Sequence, residues 1–285
     1  MRVIDLFCGA GGLSEGFRQA GFTIVEGYDI WMDALTSFQL NQECSWVKCD
    51  ILRKHLNFYP PADVVIGSPP CVSFSSANPS SDFRDGLKLV FRFLEVVCEL
   101  KPKFWVMENV PQLGKFLPDQ LATTKTSLNA ADYGVAQIRE RCFFGNFPRP
   151  EPTHSKHNTL DGKEKWVTMD KVLSHVKDRG QIMRAPQEGI RRHMERNHLN
   201  VLDSIERMCP TILASEENNW SLHTIYIPDG GGYRRLGTGE VAALMGFPEA
   251  YKFFGSVRSQ LRQMGNAVCP PVARAIAEAI KRDVA

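Results

Sequence analysis

The chain has 285 residues, of which 43% are hydrophobic and 23% charged, with a formal net charge of +2. This composition is typical of a globular protein with a large apolar core, and it excludes a disordered or fibrous chain. Because the net charge is close to zero, any surface for nucleic acid must come from local clusters of basic residues.

The cysteines and the hydropathy pattern indicate the compartment. Eight cysteines are scattered without a Cys-x-x-Cys pair or a Cys/His ligand spacing, which argues against structural zinc and against a disulfide scaffold. No stretch reaches the roughly 18 apolar residues that a membrane span requires. We therefore expect a soluble protein of the cytosol or nucleoid with reduced thiols, no metal ion and no membrane contact.

A strand, a glycine-rich loop and a helix are predicted at the start of the chain. Residues 3–7 form a strand, residues 8–12 read Cys-Gly-Ala-Gly-Gly, and apolar residues then recur at helical spacing until Gly21. Glycines let the backbone approach a ligand closely, and a helix start offers N–H donors. The loop lacks the Gly-Lys-Ser/Thr sequence of a phosphate-binding ATPase, so that activity is not expected.

Two further predicted strands end at acidic residues. Residues 22–28 lead to Asp29, about 20 residues after the glycine loop, where a carboxylate can accept hydrogen bonds from both ribose hydroxyls. Residues 45–48 lead to Asp50. Three successive strand ends thus present a glycine loop and two carboxylates, which predicts a nucleotide-like cofactor. The alternative is that these acids are solvated turn residues.

A single cysteine follows the next predicted strand. Residues 63–66 are a β-branched run that stops at Gly-Ser-Pro-Pro and then Cys71. A parallel strand that ends in this way delivers its loop to the carboxyl edge of the sheet, where open α/β sheets bind ligands. The prolines fix φ and stiffen the loop. A free cysteine is more often a small buried apolar residue. The stiff strand-end loop puts a reactive thiol on a par with that alternative, and the candidate partners on later elements favour the reactive thiol.

Candidate partners for Cys71 lie on two later elements. An amphipathic helix ends near residue 100, and the strand 104–107 leads to Glu108, a candidate proton donor in a pocket that it shares with the thiol. Taken alone, a carboxylate in this position is more often a helix cap or a surface acid, and it is the pairing with Cys71 that makes Glu108 a candidate. Arg139 and Arg141 lie two apart as the chain enters a strand, so we expect them on one face, suited to a phosphate and a carbonyl oxygen. A solvated edge pair is the alternative.

These pieces, in this order, resemble the motifs of the cytosine-5 DNA methyltransferase family across nearly the whole chain. The motifs are Asp-Leu-Phe-Cys-Gly-Ala-Gly-Gly at 5–12, Gly-Ser-Pro-Pro-Cys at 67–71, Glu-Asn-Val at 108–110, Gln-Ile-Arg-Glu-Arg at 137–141, Arg235-Leu236 with Glu240 and Leu-Met-Gly-Phe-Pro at 244–248, and Gly-Asn-Ala-Val at 265–268. The resemblance implies an α/β fold: a doubly wound, Rossmann-like domain that binds S-adenosyl-L-methionine, with a second, smaller target-recognition domain.

The resemblance also implies the reaction. An enzyme of the restriction–modification type transfers a methyl group from S-adenosyl-L-methionine to carbon 5 of cytosine in a short, specific duplex DNA sequence, leaving S-adenosyl-L-homocysteine. The implied route passes through a covalent adduct between Cys71 and carbon 6 of a base that is flipped out of the duplex. The expected partners are double-stranded DNA and a cognate restriction endonuclease of the same host, and we expect a monomer.

Site residues are implied position by position. Cys71 matches the nucleophile, Glu108 the acid that holds the cytosine and Arg141 the donor to the base carbonyl, with Arg139 beside them in the catalytic set. The implied cofactor-binding residues are Phe7, Gly9, Ala10, Gly12, Asp29, Ile30, Asp50, Ile51, Pro70, Leu89, Asn266 and Val268.

Within this set, Phe7 and Ile30 would cover the adenine and Asp29 would hold the ribose. Asp50 with Ile51 would meet the adenine edge. On the helix after the nucleophile loop Leu89 matches a wall of the cofactor site, while Asn266 and Val268 would meet the methionine end.

Three positions depart from the family pattern. Val72 stands where glutamine often follows the nucleophile, Ala136 replaces a proline, and Gly237 interrupts the usual Leu-Thr pair. None of these changes removes a group that the reaction requires, but they leave the contacts beside the flipped base open.

The composition changes after residue 149, which predicts a domain boundary. We expect residues 150–237 to form the target-recognition domain, and residues 1–149 and 238–285 to form a discontinuous catalytic domain closed by a C-terminal helix. Basic residues at 184, 191–193 and 196 are either phosphate contacts or a solvated helix face. The segment 210–212, Pro-Thr-Ile, resembles the short signature of the family's recognition domain.

Two alternatives to DNA methylation stay open. One branch of the family methylates tRNA, although its usual nucleophile-loop residues differ from those that follow Cys71. The other alternative, from a different functional class, is a catalytically silent DNA-binding relative, which requires that Val72 or Ala136 disable the pocket.

Overall fold

The computed structural model describes residues 1–55, 58–70, 83–115, 117–118, 121–157, 162–180, 201–214, 225–230 and 232–284. Several sequence predictions lie outside these residues, namely those for Cys71, Val72, Arg184, residues 191–193 and Arg196.

The elements follow the order predicted from the sequence. The strands are β1 Arg2–Leu6, β2 Thr23–Asp29, β3 Ser45–Lys48, β4 Val64–Gly67, β5 Phe104–Asn109, β6 Thr124–Asn129, β7 Glu140–Asn146, β8 His154–Ser155, β9 Glu164–Lys165, β10 Tyr226–Asp229 and β11 Gly232–Arg235. The described α-helices are α1 Gly12–Gln19, α2 Met32–Asn41, α3 Phe83–Leu100, α4 Met169–Leu173, α5 Thr238–Leu244, α6 Val257–Asn266 and α7 Pro270–Asp283.

The chain divides into two compact units. The first consists of residues 1–129, 140–151 and 267–285, and the second of residues 130–139 and 152–266. The second unit reaches further along the chain than the predicted recognition domain of residues 150–237. Because compactness does not say what a unit binds, the recognition role of that segment stays a prediction.

A seven-stranded sheet forms the centre of the first unit. Its order is β3-β2-β1-β4-β5-β7-β6. The first five strands run parallel, whereas β7 is antiparallel to both of its neighbours. Parallel strands need crossover connections, and α1, α2 and α3 lie in those that follow β1, β2 and β4. The predicted doubly wound α/β sheet is confirmed.

Helices cover both faces of this sheet. Ile4 and Leu6 of β1 join Val90 and Phe93 of α3 in one apolar cluster. Because side chains alternate along a strand, Asp5 points to the opposite face, where Ser14 of α1 donates a hydrogen bond to it. The sheet is therefore buried on both sides, which explains the continuous apolar runs of its parallel strands.

The C-terminal helix α7 packs on α1, as the family pattern implies. The two helices meet at Gly16, where a Cβ atom would lie 2.4 Å from the Cβ of Ala273. Lys281 extends the contact with a 3.3 Å hydrogen bond from Nζ to the carbonyl of Ala20. A side chain at residue 16 would force the helices apart, so glycine is required for this close approach.

In the second unit, a buried ion pair joins β11 to α5. Arg234 donates two hydrogen bonds to Glu240, of 2.7 and 2.8 Å, and Glu240 also accepts from the N–H of Gly237 at 2.8 Å. The motif comparison singles out Arg235 beside Glu240. The structure pairs Glu240 with Arg234 instead, because adjacent strand residues face opposite sides and the guanidinium of Arg235 lies over the ring of Tyr226.

No helix within the described ranges is long and apolar enough to cross a membrane.

One carboxylate lies inside the sheet. Asp5 is 1% exposed, and its Oδ2 accepts a 2.6 Å hydrogen bond from the hydroxyl of Ser14. Its Oδ1 has no hydrogen-bond partner among the residues that the structure describes. Burial raises the pKa of Asp5 to about 8, although the hydrogen bond from Ser14 opposes the shift.

We expect Asp5→Asn to stabilise the protein at about pH 8 and to flatten its stability profile. The folded state keeps a proton on Asp5 that the unfolded chain has already released above about pH 4, so the free energy of unfolding falls as the pH rises from about 4 to about 8. Asparagine retains the hydrogen bond from Ser14 and carries no charge. Melting temperatures of both proteins across this pH range are the measurement, and an unchanged slope in the variant would contradict the assignment.

Candidate active site

The strand order places a topological switch point between β1 and β4. From β1 the chain adds β2 and β3 on one side and then returns to add β4 and β5 on the other. Leu6 pairs with Gly67, and the N–H of Ser68 donates to the carbonyl of Leu6 at 3.2 Å. The loops that follow β1 and β4 are therefore neighbours, at the crevice where open α/β sheets bind ligands.

The loop after β1 has a strained, open backbone. Phe7 has a φ of 61°, a left-handed conformation that costs a non-glycine residue about 1–2 kcal/mol. Gly9 has a φ of 53° and Gly11 a φ of 90°. Among the residues that the structure describes, none has an atom within 4 Å of the position that a Cβ at residue 9 would take, so this part of the loop borders space that no described residue fills. Strain next to open space is typical of ligand-binding loops.

Asp29 fastens this loop to the end of β2. Its Oδ2 accepts from the N–H of Gly9 and its Oδ1 from the N–H of Trp31, each at 2.8 Å. Burial raises the pKa of Asp29 despite these two backbone hydrogen bonds. The next residue, Ile30, is 65% exposed, although it is a large apolar side chain beside a partly buried carboxylate.

These observations fit a nucleoside cofactor. The open space beside Gly9 admits the ligand, Asp29 offers carboxylate oxygens at the strand end where a ribose is expected, and Ile30 offers an uncovered apolar surface. Of the other implied cofactor residues, Ala10, Gly12 and Val268 are buried, Phe7 and Leu89 are partly buried, and Pro70 and Asn266 are exposed.

The turn after β3 places Asp50 and Ile51, the two residues implied to meet the adenine edge, in different surroundings. Asp50 accepts a 3.1 Å hydrogen bond from the N–H of Leu52 and thereby caps the short 3-10 helix Ile51–Arg53. Ile51 is only 3% exposed and belongs to the apolar core. Asp50 is the member of this pair that faces outward, whereas Ile51 anchors the turn.

A carboxylate and a guanidinium meet at the end of β5. Glu108 is 6% exposed, and its Oε1 lies 3.2 Å from the Nε of Arg141. Arg141 reaches the carboxyl edge because β7 is antiparallel to β5, so that the start of β7 lies beside the end of β5. The partly buried ion pair holds both groups in a defined orientation.

Asn109 ties the end of β5 to the loop that leads to Cys71. Its Nδ2 donates a 2.9 Å hydrogen bond to the carbonyl of Pro69, and its Oδ1 accepts from the N–H of Val110 at 2.9 Å. Asn109 is 1% exposed. The sequence pattern did not predict a role for Asn109, although an amide that directly follows an acid at a strand end is a recognisable candidate for a structural hydrogen bond. This contact places Pro69, which lies two residues before Cys71, beside the end of β5 that carries Glu108.

Arg139 occupies a different setting from Arg141. Strand β7 begins at Glu140, so the alternation that predicted a shared face does not extend to Arg139. In the second unit, its guanidinium is 2% exposed and donates to the carbonyls of Ile212 and Gly265, each at 2.8 Å. These hydrogen bonds make Arg139 a link between two main-chain segments. Its predicted contact with the substrate stays a prediction.

The predicted recognition signature pairs with the segment before β7. The N–H of Ile138 donates to the carbonyl of Cys209 at 2.9 Å, and the hydroxyl of Thr211 donates to the carbonyl of Ile138 at 2.7 Å. Gln137 is fully buried and accepts from the N–H of Ile212 at 3.0 Å. This bridging role of Gln137 cannot be inferred from its position in the sequence.

Comparison with known proteins agrees with this geometry. The C-5 cytosine-specific DNA methylase family matches residues 1–282. The Type II methyltransferase M1.HphI of Haemophilus parahaemolyticus is 30% identical over 98% of this chain and 86% of its own. M.FnuDI of Fusobacterium nucleatum, also a Type II methyltransferase, is 28% identical over 99% of this chain and 94% of its own.

Solved structures share the fold. The Entamoeba histolytica methyltransferase EhMeth has a TM-score of 0.79 at 17% identity, covering 100% of this chain and 99% of its own. Dnmt2 methyltransferase of S. pombe has a TM-score of 0.77 at 17% identity, with the same coverage. The fold of the sheet and the sequence match over almost the full length lead to the same conclusion. The chain belongs to the C-5 cytosine-specific DNA methylase family and is a C5 cytosine DNA methyltransferase.

Proposed function

We propose that this protein transfers a methyl group from S-adenosyl-L-methionine to carbon 5 of cytosine within a short, specific duplex DNA sequence. The observation that carries the proposal is the shared carboxyl edge of β1, β4 and β5. There, a glycine loop bordering open space lies next to a loop that is tied, through Asn109, to the buried Glu108–Arg141 pair. The family match supplies the reaction class.

The proposed chemistry explains why a thiol and a carboxylic acid are needed together. Carbon 5 of cytosine is a poor nucleophile. The thiolate of Cys71 forms a bond to carbon 6 while Glu108 gives a proton to ring nitrogen 3, and the electron pair of the 5,6 double bond makes carbon 5 enamine-like. Arg141 donates to the carbonyl oxygen of the base. After methylation a base takes the proton of carbon 5, the 5,6 double bond re-forms as the thiolate is expelled, and ring nitrogen 3 returns its proton to Glu108.

Bound S-adenosyl-L-methionine supplies the electrophilic methyl group. We assign its binding to residues at the ends of β1, β2 and β3, with further contacts from α3 and from the chain around the start of α7. Those residues are Phe7, Gly9, Ala10, Gly12, Asp29, Ile30, Asp50, Ile51, Pro70, Leu89, Asn266 and Val268. Because a stacked cytosine cannot reach a thiol at this edge, the base must leave the duplex.

We expect Cys71→Ser to bind S-adenosyl-L-homocysteine as the wild type does and to lose at least about 10³-fold in turnover, since a hydroxyl adds poorly to carbon 6. Methyl transfer from labelled cofactor to duplex DNA is the measurement. DNA carrying 5-fluorocytosine should trap the wild type, but not the variant, as a denaturant-resistant complex. Wild-type turnover by the serine variant would refute the nucleophile assignment, and the absence of any trapped wild-type complex would favour the silent DNA-binding alternative.

We expect Glu108→Gln to lower kcat by about 10²–10⁴-fold, because glutamine keeps the shape of the side chain but cannot give a proton to ring nitrogen 3. Binding of S-adenosyl-L-homocysteine should not change. Glu278→Gln, which alters an exposed acid on α7, is the matched control and should keep wild-type kcat. Equal kcat in the two variants would show that Glu108 is not the proton donor.

The recognition role of residues 150–237 is tested by exchange. A segment of this size can read a few base pairs, each worth about 1–3 kcal/mol of discrimination. We expect a chimera that carries a relative's segment to methylate the relative's target. Bisulfite sequencing of host DNA measures the site, and parallel labelling of duplex DNA and tRNA tests the tRNA alternative. Methylated cytosines without shared flanking bases would instead indicate a non-specific phosphate clamp.

A further inference from the structure

One arginine on α3 holds the turn that follows β3. The side chain of Arg92 is 13% exposed. Its Nε donates a 3.0 Å hydrogen bond to the carbonyl of Ile51, and its Nη2 donates to the carbonyl of Lys54. The remaining donor, Nη1, reaches the half-exposed carboxylate of Glu95 at 2.7 Å. One guanidinium thus binds two carbonyls of a single short turn.

The turn held by Arg92, residues 50–54, is fixed at both ends. Asp50 caps its 3-10 helix through the N–H of Leu52. At the other end, the Nζ of Lys54 lies over the rings of Tyr28 and Tyr59, at 5.1 and 5.2 Å from their centroids. The turn therefore has little freedom to move along the sheet, and Arg92 fixes its distance from α3.

Helix α3 also carries one of the residues that we assign to the cofactor. Leu89, which we assign to the cofactor wall, lies three residues before Arg92, so the two side chains are neighbours on one helix face. Asp50, which we assign to the adenine edge, lies on the turn that Arg92 holds. The hydrogen bonds of Arg92 thus join the two elements from which the adenine contacts are expected.

We infer that Arg92 is a positioning residue that sets the width of the slot between α3 and the 50–54 turn into which the adenine of the cofactor enters. The inference rests on the proposed function. Arginine suits the task because its planar, always charged fork can serve two carbonyls and a carboxylate at once, which the single ammonium of lysine cannot do in the same geometry. Loss of the fork leaves two partly buried carbonyls without this donor.

The test compares Arg92→Lys, Arg92→Met and the control Arg274→Met. Arg274 is a helical arginine with a carboxylate partner four residues later, and it is 54% exposed. Calorimetry with S-adenosyl-L-homocysteine should show a rise in Kd of about tenfold or more for Arg92→Met, a smaller rise for Arg92→Lys and none for Arg274→Met. The KM for S-adenosyl-L-methionine should rise in parallel, while kcat and the KM for DNA stay within about twofold.

A second ligand separates positioning from a general loss of stability. S-inosyl-L-homocysteine differs from S-adenosyl-L-homocysteine only in the purine, so a change in slot width should reduce the preference between them in Arg92→Met. Equal losses for both ligands, or wild-type Kd values, would overturn the inference. If Arg92→Met does not fold, the ratio of the Kd values for the two ligands is measured in Arg92→Lys instead. A wild type that binds neither ligand would instead overturn the proposed cofactor and, with it, this inference.

Discussion

The site depends on the order of the strands in the sheet, in which β2 and β3 lie on one side of β1 and β4 and β5 on the other. Main-chain hydrogen bonds between β1 and β4 place Leu6 beside Gly67. The loops after these strands must then leave the sheet side by side, whatever their sequences are. Because each strand of the parallel set ends at the same edge, the glycine-rich loop after β1, the strand-end carboxylates and the segment that leads to Cys71 all follow from local strand endings.

The antiparallel strand β7 adds what the parallel set cannot supply. A guanidinium at the carboxyl edge must come from a strand that starts there, and β7 does so beside the end of β5. The Glu108–Arg141 pair follows from this reversal, because an arginine two residues into β7 stands level with the end of β5. Asn109 completes the arrangement by holding the carbonyl of Pro69 from below the same edge.

Local patterns were sufficient for most of the fold. Apolar runs and strand-ending residues predict β3 over residues 45–48 as observed, and β5 from residue 104. They do not predict contacts between distant segments, since no periodicity encodes them. The partner of Glu240 is Arg234 rather than its neighbour, Ile51 is a core residue, and Arg139 is enclosed by carbonyls from residues 212 and 265. Each of these depends on which backbone lies opposite, which only tertiary structure supplies.

Unfavourable features are concentrated at the same edge. The left-handed Phe7 costs about 1–2 kcal/mol. The buried carboxyl of Asp5 and the partly buried carboxyl of Asp29 have raised pKa values because desolvation disfavours their charged forms. Asp5 lies on β1, which leads into the proposed cofactor loop, and Asp29 at the end of β2 accepts a hydrogen bond from Gly9 of that loop. A sheet buried on both faces has enough apolar contact to tolerate such local costs.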